Sequence, residues 1–200
     1  MTRHELDGDG REGAVKVLVV DDDAFARASV VTLVERHVGQ VAAASGTAAD
    51  ALARFRPGVA QVAILDLDLG IGPTGVDLAV QLRKRQPDLA IVFLSVVPDP
   101  RLIGVDPSLV PAGSVYFVKS DLVSGSDLRE AVALALLRVA GARSPQRQVP
   151  RSALTDSQVE LLRLLADGYS NKEIARRRVV SEAAVERSIT RLVHRLDLPS

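Results

Sequence analysis

VKVLVVDDD, at residues 15–23, is the most informative segment for the fold, because a short run dominated by β-branched apolar residues ends in three consecutive acids. Such a run favours a strand that is buried on both faces of a sheet. Four similar runs follow along the chain, separated by amphipathic stretches of helical period, which predicts a parallel, doubly wound five-stranded α/β sheet. The five runs are AVKVLVV (14–20), QVAAA (40–44), QVAILDL (61–67), LAIVFLS (89–95) and SVYFVK (114–119).

The C-terminal quarter of the chain has a different pattern. AGARSPQRQVPR at 140–151 has two prolines and no apolar period, so we interpret it as a linker after an α/β domain at 14–139. Residues 152–200 show helical periods only, with Thr155 or Asp156, Ser170 or Asn171, and Ser181 available as caps. Three compact helices with short turns predict an all-α helix-turn-helix domain.

Two segments depart from regular structure. Residues 1–13 are polar and glycine-rich, and we predict a disordered leader there. Between the fourth and fifth strands, prolines at 98, 100, 107 and 111 leave room for at most a short helical turn near residues 101–104. The fourth crossover helix is therefore predicted to be degraded over 96–113.

Composition excludes several classes of protein. The chain has no cysteine and three scattered histidines, which argues against disulfides and a zinc site. It also has neither a signal-peptide core nor an apolar run of about 18 residues, so we expect a cytoplasmic protein with no membrane partner. Formal net charge is zero, but residues 151–200 have a basic excess of two, which permits nucleic-acid binding.

Polar residues close four of the five predicted strands. The carboxyl ends of parallel strands share one sheet edge, so these groups should gather there. Clustered carboxylates favour a hard divalent cation such as Mg²⁺, and a hydroxyl with an ammonium suits phosphoryl oxygens. The edge therefore predicts phosphoryl chemistry with a carboxylate nucleophile. In chain order the residues are Asp21, Asp22 and Asp23, Asp66 with Asp68, Ser95, and Lys119.

VLVVDDD, LDLDLG, FLS and YFVK resemble the receiver domain of bacterial two-component response regulators over about residues 14–140. The resemblance implies a flavodoxin-like fold in which a sensor histidine kinase phosphorylates Asp66. Beyond self-phosphotransfer and autodephosphorylation, no enzymatic activity is implied. The implied roles are Mg²⁺ binding by Asp21, Asp22, Asp66 and the backbone carbonyl of Asp68, phosphoryl sensing by Ser95 and Lys119, and a switch aromatic at Tyr116.

Residues 152–200 resemble the LuxR-type helix-turn-helix, through LT at 154–155, LRLLADG at 162–168 and SNKEIA at 170–175. Together the two resemblances indicate the NarL/FixJ subfamily, which implies sequence-specific binding to double-stranded DNA and a homodimer when active. Glu186 is a departure, because the family usually has a basic DNA-contacting residue there. The candidate DNA contacts are Lys172, Arg176 and Arg177, followed on the last helix by Arg187, Ser188, Arg191 and Arg195.

Two alternatives stay open at this stage. The degraded crossover suggests a receiver that keeps its acids but controls DNA binding without phosphorylation. The run ILDLD at 64–68 is also typical of magnesium-dependent phosphatases of the haloacid dehalogenase type. In that class, however, the motif lies on the first strand, and here it lies on the third.

The chain also departs from the receiver family at two positions, because Gly70 and Ser120 stand where the family usually has proline.

Overall fold

The structure, a computed structural model, describes residues 14–97, 99–122, 124–141 and 154–195. The predicted leader and most of the predicted linker lie outside these residues. Contacts divide the chain into two units, of which the first contains residues 1–96 and 109–148 and the second contains 97–108 and 149–200.

The first unit contains a five-stranded parallel sheet with strand order β2-β1-β3-β4-β5, which confirms the predicted flavodoxin-like fold. The chain order reverses between β1 and β3, where open α/β sheets form their ligand crevice. The strands are β1 (Val15–Val20), β2 (Gly39–Ser45), β3 (Val62–Asp66), β4 (Ala90–Ser95) and β5 (Val115–Val118), and the helices are α1 (Ala24–His37), α2 (Ala48–Arg54), α3 (Gly75–Arg85) and α4 (Gly125–Gly141).

Burial of whole strands explains the uninterrupted apolar runs. All six residues of β4 and the first four of β3 are buried. Helix α1 packs against α4 and α2 against α3, so helical side chains cover these central strands. Each large apolar side chain buried in this way, such as Phe93 or Leu128, stabilises the fold by about 1.5–3 kcal/mol relative to exposure. This core holds the carboxyl ends of β3 and β4 in fixed register.

Local capping starts the two helices that follow the acidic strands. Asp23, the third acid of the opening run, is the N-cap of α1, and its Oδ1 accepts from the N–H groups of Phe25 and Ala26 at 2.8 Å each. Thr74 and Asp77 form a capping box at the start of α3. Asp23 is therefore committed to its helix, which leaves Asp21 and Asp22 for other partners.

The second unit contains three helices, α5 (Asp156–Ala166), α6 (Asn171–Arg178) and α7 (Glu182–Arg195), as the predicted all-α domain requires. Thr155 caps α5 and Ser170 caps α6, each in a capping box. The core of this unit consists of Leu154, Val159, Leu161, Ile174, Ala175, Val185 and Leu192.

Between β4 and β5 the described residues contain two short 3-10 helices, at Pro100–Ile103 and Pro107–Leu109, and no α-helix. Gly104 ends the first of them with a φ of 79°. In addition, none of the helices in the described parts of the chain is long and apolar enough to cross a membrane.

Candidate functional site

Three carboxylates meet at the carboxyl edge of the sheet. Asp21 directly follows β1 and Asp66 is the last residue of β3, so the two lie on either side of the point where the strand order reverses. One carboxylate oxygen each from Asp21, Asp22 and Asp66 lies within 4.8 Å of the others. Asp21 is 2% exposed and the Asp66 side chain 12%, whereas Asp22 faces solvent. The cluster therefore has buried walls and an open side.

Lys119 joins two of these acids. It directly follows β5, and its Nζ donates to Asp21 Oδ2 at 2.7 Å and to Asp66 Oδ2 at 2.6 Å. Burial opposes the charged form of Lys119, but the two carboxylates outweigh burial and raise the pKa of the ammonium. Burial also raises the pKa of the Asp66 carboxyl, although Lys119 acts in the opposite direction. Lys119 thus keeps a positive charge directly beside the Asp66 carboxylate.

The donor set fits a hard divalent cation, because three carboxylate oxygens converge and a single ammonium balances only part of their charge. Close backbone packing shapes this site. A Cβ at Gly75 would collide with the backbone carbonyl oxygen of Asp66, and one at Gly70 would lie 3.3 Å from Asp22 Oδ2. The Asp68 N–H donates to Asp66 Oδ1 at 3.3 Å, and the role assigned to the Asp68 carbonyl stays a prediction.

Strand register brings Ser95 to the same edge. Asp66 pairs with Leu94 and Ser95 pairs with Val118, the residue before Lys119. Ser95 is 2% exposed. Tyr116 lies on β5, three residues before Lys119, and is half-buried. Strand register therefore brings Ser95 to the same sheet edge as the acidic cluster, and the sensing and switch roles stay predictions.

Sequence reasoning missed Arg27, which stabilises the acidic loop from α1. Its Nη1 donates to the backbone carbonyl of Asp21 at 2.5 Å and to that of Asp22 at 3.4 Å. An arginine in the second turn of an amphipathic helix gives no local signal of such a contact, because solvated arginines are common there. The contact fixes the backbone from which the Asp21 and Asp22 side chains project.

Helix α7 has one buried and one exposed face, as its spacing predicts. Val185 and Leu192 are buried, and Ile189 packs against the same core. Arg187 and Arg191 are exposed. The four candidates on α7 thus differ, because Ser188 is half-buried and donates to the carbonyl of Ala184 at 2.8 Å, and the Arg195 side chain lies outside the described residues.

The three cationic candidates on α6, Lys172, Arg176 and Arg177, are all exposed. The Arg177 guanidinium lies 4.1 Å from the centroid of the Tyr169 ring, a cation–π arrangement that restricts its orientation. The capping box at Ser170 binds the N–H of Glu173, and the first N–H groups of any helix have no partner within the helix. A helix start with exposed cations is a surface that suits phosphate groups.

The sequence matches two protein families, response regulator receiver domains over residues 17–104 and bacterial regulatory proteins of the luxR family over residues 152–200. The DNA-binding transcriptional activator DevR/DosR of Mycobacterium tuberculosis is 31% identical over 92% of this chain and 89% of its own length. A nitrate/nitrite response regulator protein homolog of Haemophilus influenzae is 28% identical, with coverage of 93% and 92%. The solved RcsB response regulator of Salmonella typhimurium has a TM-score of 0.50 at 19% identity, over 94% of this chain and 92% of that one, which shows a likeness of fold.

Proposed function

This chain belongs to the two-component response regulators that join a receiver domain to a LuxR-type DNA-binding domain, and we propose that phosphorylation of Asp66 controls its DNA binding. The observation that carries the proposal is the contact between Lys119 Nζ and Asp66 Oδ2, in the middle of the acidic cluster. A carboxylate with one solvent-facing side and an adjacent fixed cation suits a nucleophile for phosphoryl transfer.

The donor in this proposal is a phosphohistidine of a sensor kinase. An oxygen of Asp66 attacks phosphorus, the phosphorus–nitrogen bond breaks, and its electron pair returns to the imidazole, which then takes up a proton. Lys119, which donates to Asp66 Oδ2, then moves this hydrogen bond to a phosphoryl oxygen. The Ser95 hydroxyl supplies the second contact that senses the phosphoryl group.

Charge balance supports a metal at this site. The ionised side chains of Asp21, Asp22 and Asp66 have three negative charges, and Lys119 offsets one of them. A phosphoryl group adds further negative charge. These acids and the Asp68 carbonyl would hold Mg²⁺, which would supply the charge compensation that the incoming phosphoryl group needs. Asp21 would meanwhile hold Lys119 in place through its own 2.7 Å contact.

At the other end of the chain, α7 is proposed to enter the major groove. Arg187 and Arg191 then face base edges or phosphates, Ser188 and Arg195 are further candidates on the same helix, and Lys172, Arg176 and Arg177 bind phosphates. Glu186 is also exposed on this helix, and a carboxylate there favours a cytosine N4 donor and disfavours phosphate. We propose a homodimer as the DNA-bound form, since two half-sites are the usual target of such a helix.

Intact mass spectrometry tests the acceptor. Wild-type protein incubated with acetyl phosphate and Mg²⁺ should gain the mass of one phosphoryl group, and Asp66→Asn should gain none. Asp88→Asn removes an exposed acid after α3 and serves as the matched control, which should gain mass as wild type does. An equal gain in Asp66→Asn overturns the assignment.

DNA affinity then separates phosphorylation control from the phosphorylation-independent alternative. The duplex is selected from a random library, and binding is measured by fluorescence anisotropy at one fixed salt concentration. Phosphorylated wild type should bind more tightly than Asp66→Asn. Equal affinity with and without complete phosphorylation would support the alternative.

A further inference from the structure

Residues 97–108, called the connector segment below, leave the first unit after β4 and belong to the same compact unit as the DNA-binding helices. Pro98 within this segment is not described. The side chain of Leu102 packs against the core formed by α5, α6 and α7. The DNA-binding unit is therefore assembled from two distant stretches of the chain.

The buried carboxylate of Asp99, whose oxygens accept four hydrogen bonds, holds the connector segment in place. Asp99 is 2% exposed, and its oxygens accept from the N–H and Nε of Arg101 at 2.9 Å each and from Arg101 Nη2 at 2.7 Å. They also accept from the backbone N–H of Leu154 at 3.1 Å. A buried carboxylate is strongly unfavourable without such partners, so the four contacts depend on one another.

Arg101 continues the same network towards α5. Its guanidinium donates to the carbonyl of Leu154 and to the carboxylate of Asp156, the first residue of α5. In return, Arg163 Nη2 donates to the carbonyl of Arg101 at 2.6 Å. Both backbone polar groups of Leu154 are thus bound by the connector segment, which fixes the start of α5 directly before its Thr155 cap.

We propose that the connector segment transmits the phosphorylation state of the receiver to the DNA-binding unit through the Asp99–Arg101 pair. The inference rests on the proposed function, because Ser95, the proposed phosphoryl-sensing residue, ends β4 and precedes Asp99 by four residues. A shift of Ser95 towards a phosphoryl oxygen is passed along this short stretch to the two groups that hold Leu154. Helix α5 packs against α7, so a change at the start of α5 alters the support of the proposed recognition helix.

Hydrogen exchange on the full-length chain tests the proposal. In wild type, the Leu154 amide should be protected, and phosphorylation with acetyl phosphate and Mg²⁺ should change its exchange rate. Arg101→Gln removes the forked contacts and should raise that rate on the order of tenfold, the effect of losing about one buried hydrogen bond of the charged kind. Arg54→Gln, which removes an exposed arginine paired with Asp50 on α2, is the matched control and should leave the rate unchanged.

The second readout is the ratio of DNA affinities with and without phosphorylation. Arg101→Gln should gain phosphoryl mass as wild type does, and its affinity ratio should fall towards one, while Arg54→Gln keeps the wild-type ratio. Arg101→Lys keeps the charge without the fork and should give intermediate values, which provides a second test if Arg101→Gln does not fold.

Failure of the proposed function and failure of the connector segment give different results. Absence of phosphoryl mass in wild type counts against the proposed function, and the exchange rate of Leu154 in Arg101→Gln then still tests the network itself. Full phosphorylation with an unchanged Leu154 exchange rate in Arg101→Gln overturns the connector. A raised exchange rate with a wild-type affinity ratio overturns transmission through it.

Discussion

Replacing Lys119 with glutamine should destabilise the receiver and change its response to Mg²⁺. The ammonium makes two charge-assisted hydrogen bonds, at 2.7 Å to Asp21 and 2.6 Å to Asp66. Its removal leaves two poorly solvated carboxylates facing each other without their shared cation.

The magnitude follows from burial. Breaking a fully buried ion pair by removing one partner costs about 3–5 kcal/mol. Here the Lys119 side chain is 20% exposed and one face of the cluster is open, so solvent screens part of the repulsion. We therefore expect a loss of about 2 kcal/mol in the free energy of unfolding of the receiver.

Urea unfolding of the full-length protein in the presence of a chelator measures this loss, with the receiver transition followed by hydrogen exchange of β3 and β4 amides. Lys84→Gln, at an exposed position near the end of α3, is the matched control and should unfold as wild type does. Added Mg²⁺ should then stabilise Lys119→Gln more than wild type, because the variant's carboxylates lack competition from an ammonium. Unchanged stability without Mg²⁺, or equal stabilisation of both proteins by it, would refute the charge argument.

Three further predictions concern other parts of the chain. Val179 is exposed and has a φ of 55° at the end of α6. Val179→Gly should relieve about 1 kcal/mol of backbone strain and so raise the thermal unfolding midpoint measured by calorimetry. A lower midpoint would contradict this prediction. Gly75→Ala should lower stability by about 1–3 kcal/mol in urea unfolding and slow phosphorylation, because its Cβ would displace the carbonyl of Asp66. Although burial opposes the charged form of Asp99, hydrogen bonds from Arg101 keep its pKa below the ordinary value. The stability that it adds to the DNA-binding unit is therefore present above about pH 4 and is lost as pH falls through the lower, folded-state pKa, whereas Asp99→Asn should lack this acid transition.

Most of the fold and part of the site could be predicted from residue patterns. Uninterrupted apolar runs indicate buried parallel strands, and the polar residues at their ends predict a shared edge, so the patterns place Asp66 and Lys119 at the same edge without indicating which atoms meet. Arg27 could not be predicted in this way, since its contact with the Asp21 carbonyl depends on the angle at which α1 leaves the sheet. Asp23, one of the three acids, is the N-cap of α1. An aspartate that caps a helix and one that binds a metal look the same in the sequence, so its role could not be predicted.

Residue patterns alone predict the two fold classes, the positions of the five strands and several helix caps, and they predict a degraded crossover helix where prolines remove N–H donors. These properties depend on neighbours within a few residues, so they can be read from periodicity and caps. The direct contacts across the chain depend on the tertiary structure. Lys119 meets Asp66, 53 residues away, and Asp99 meets Leu154, 55 residues away. The prolines predict that a helix is missing, but the new partner of that segment depends on which buried polar groups it must satisfy in space.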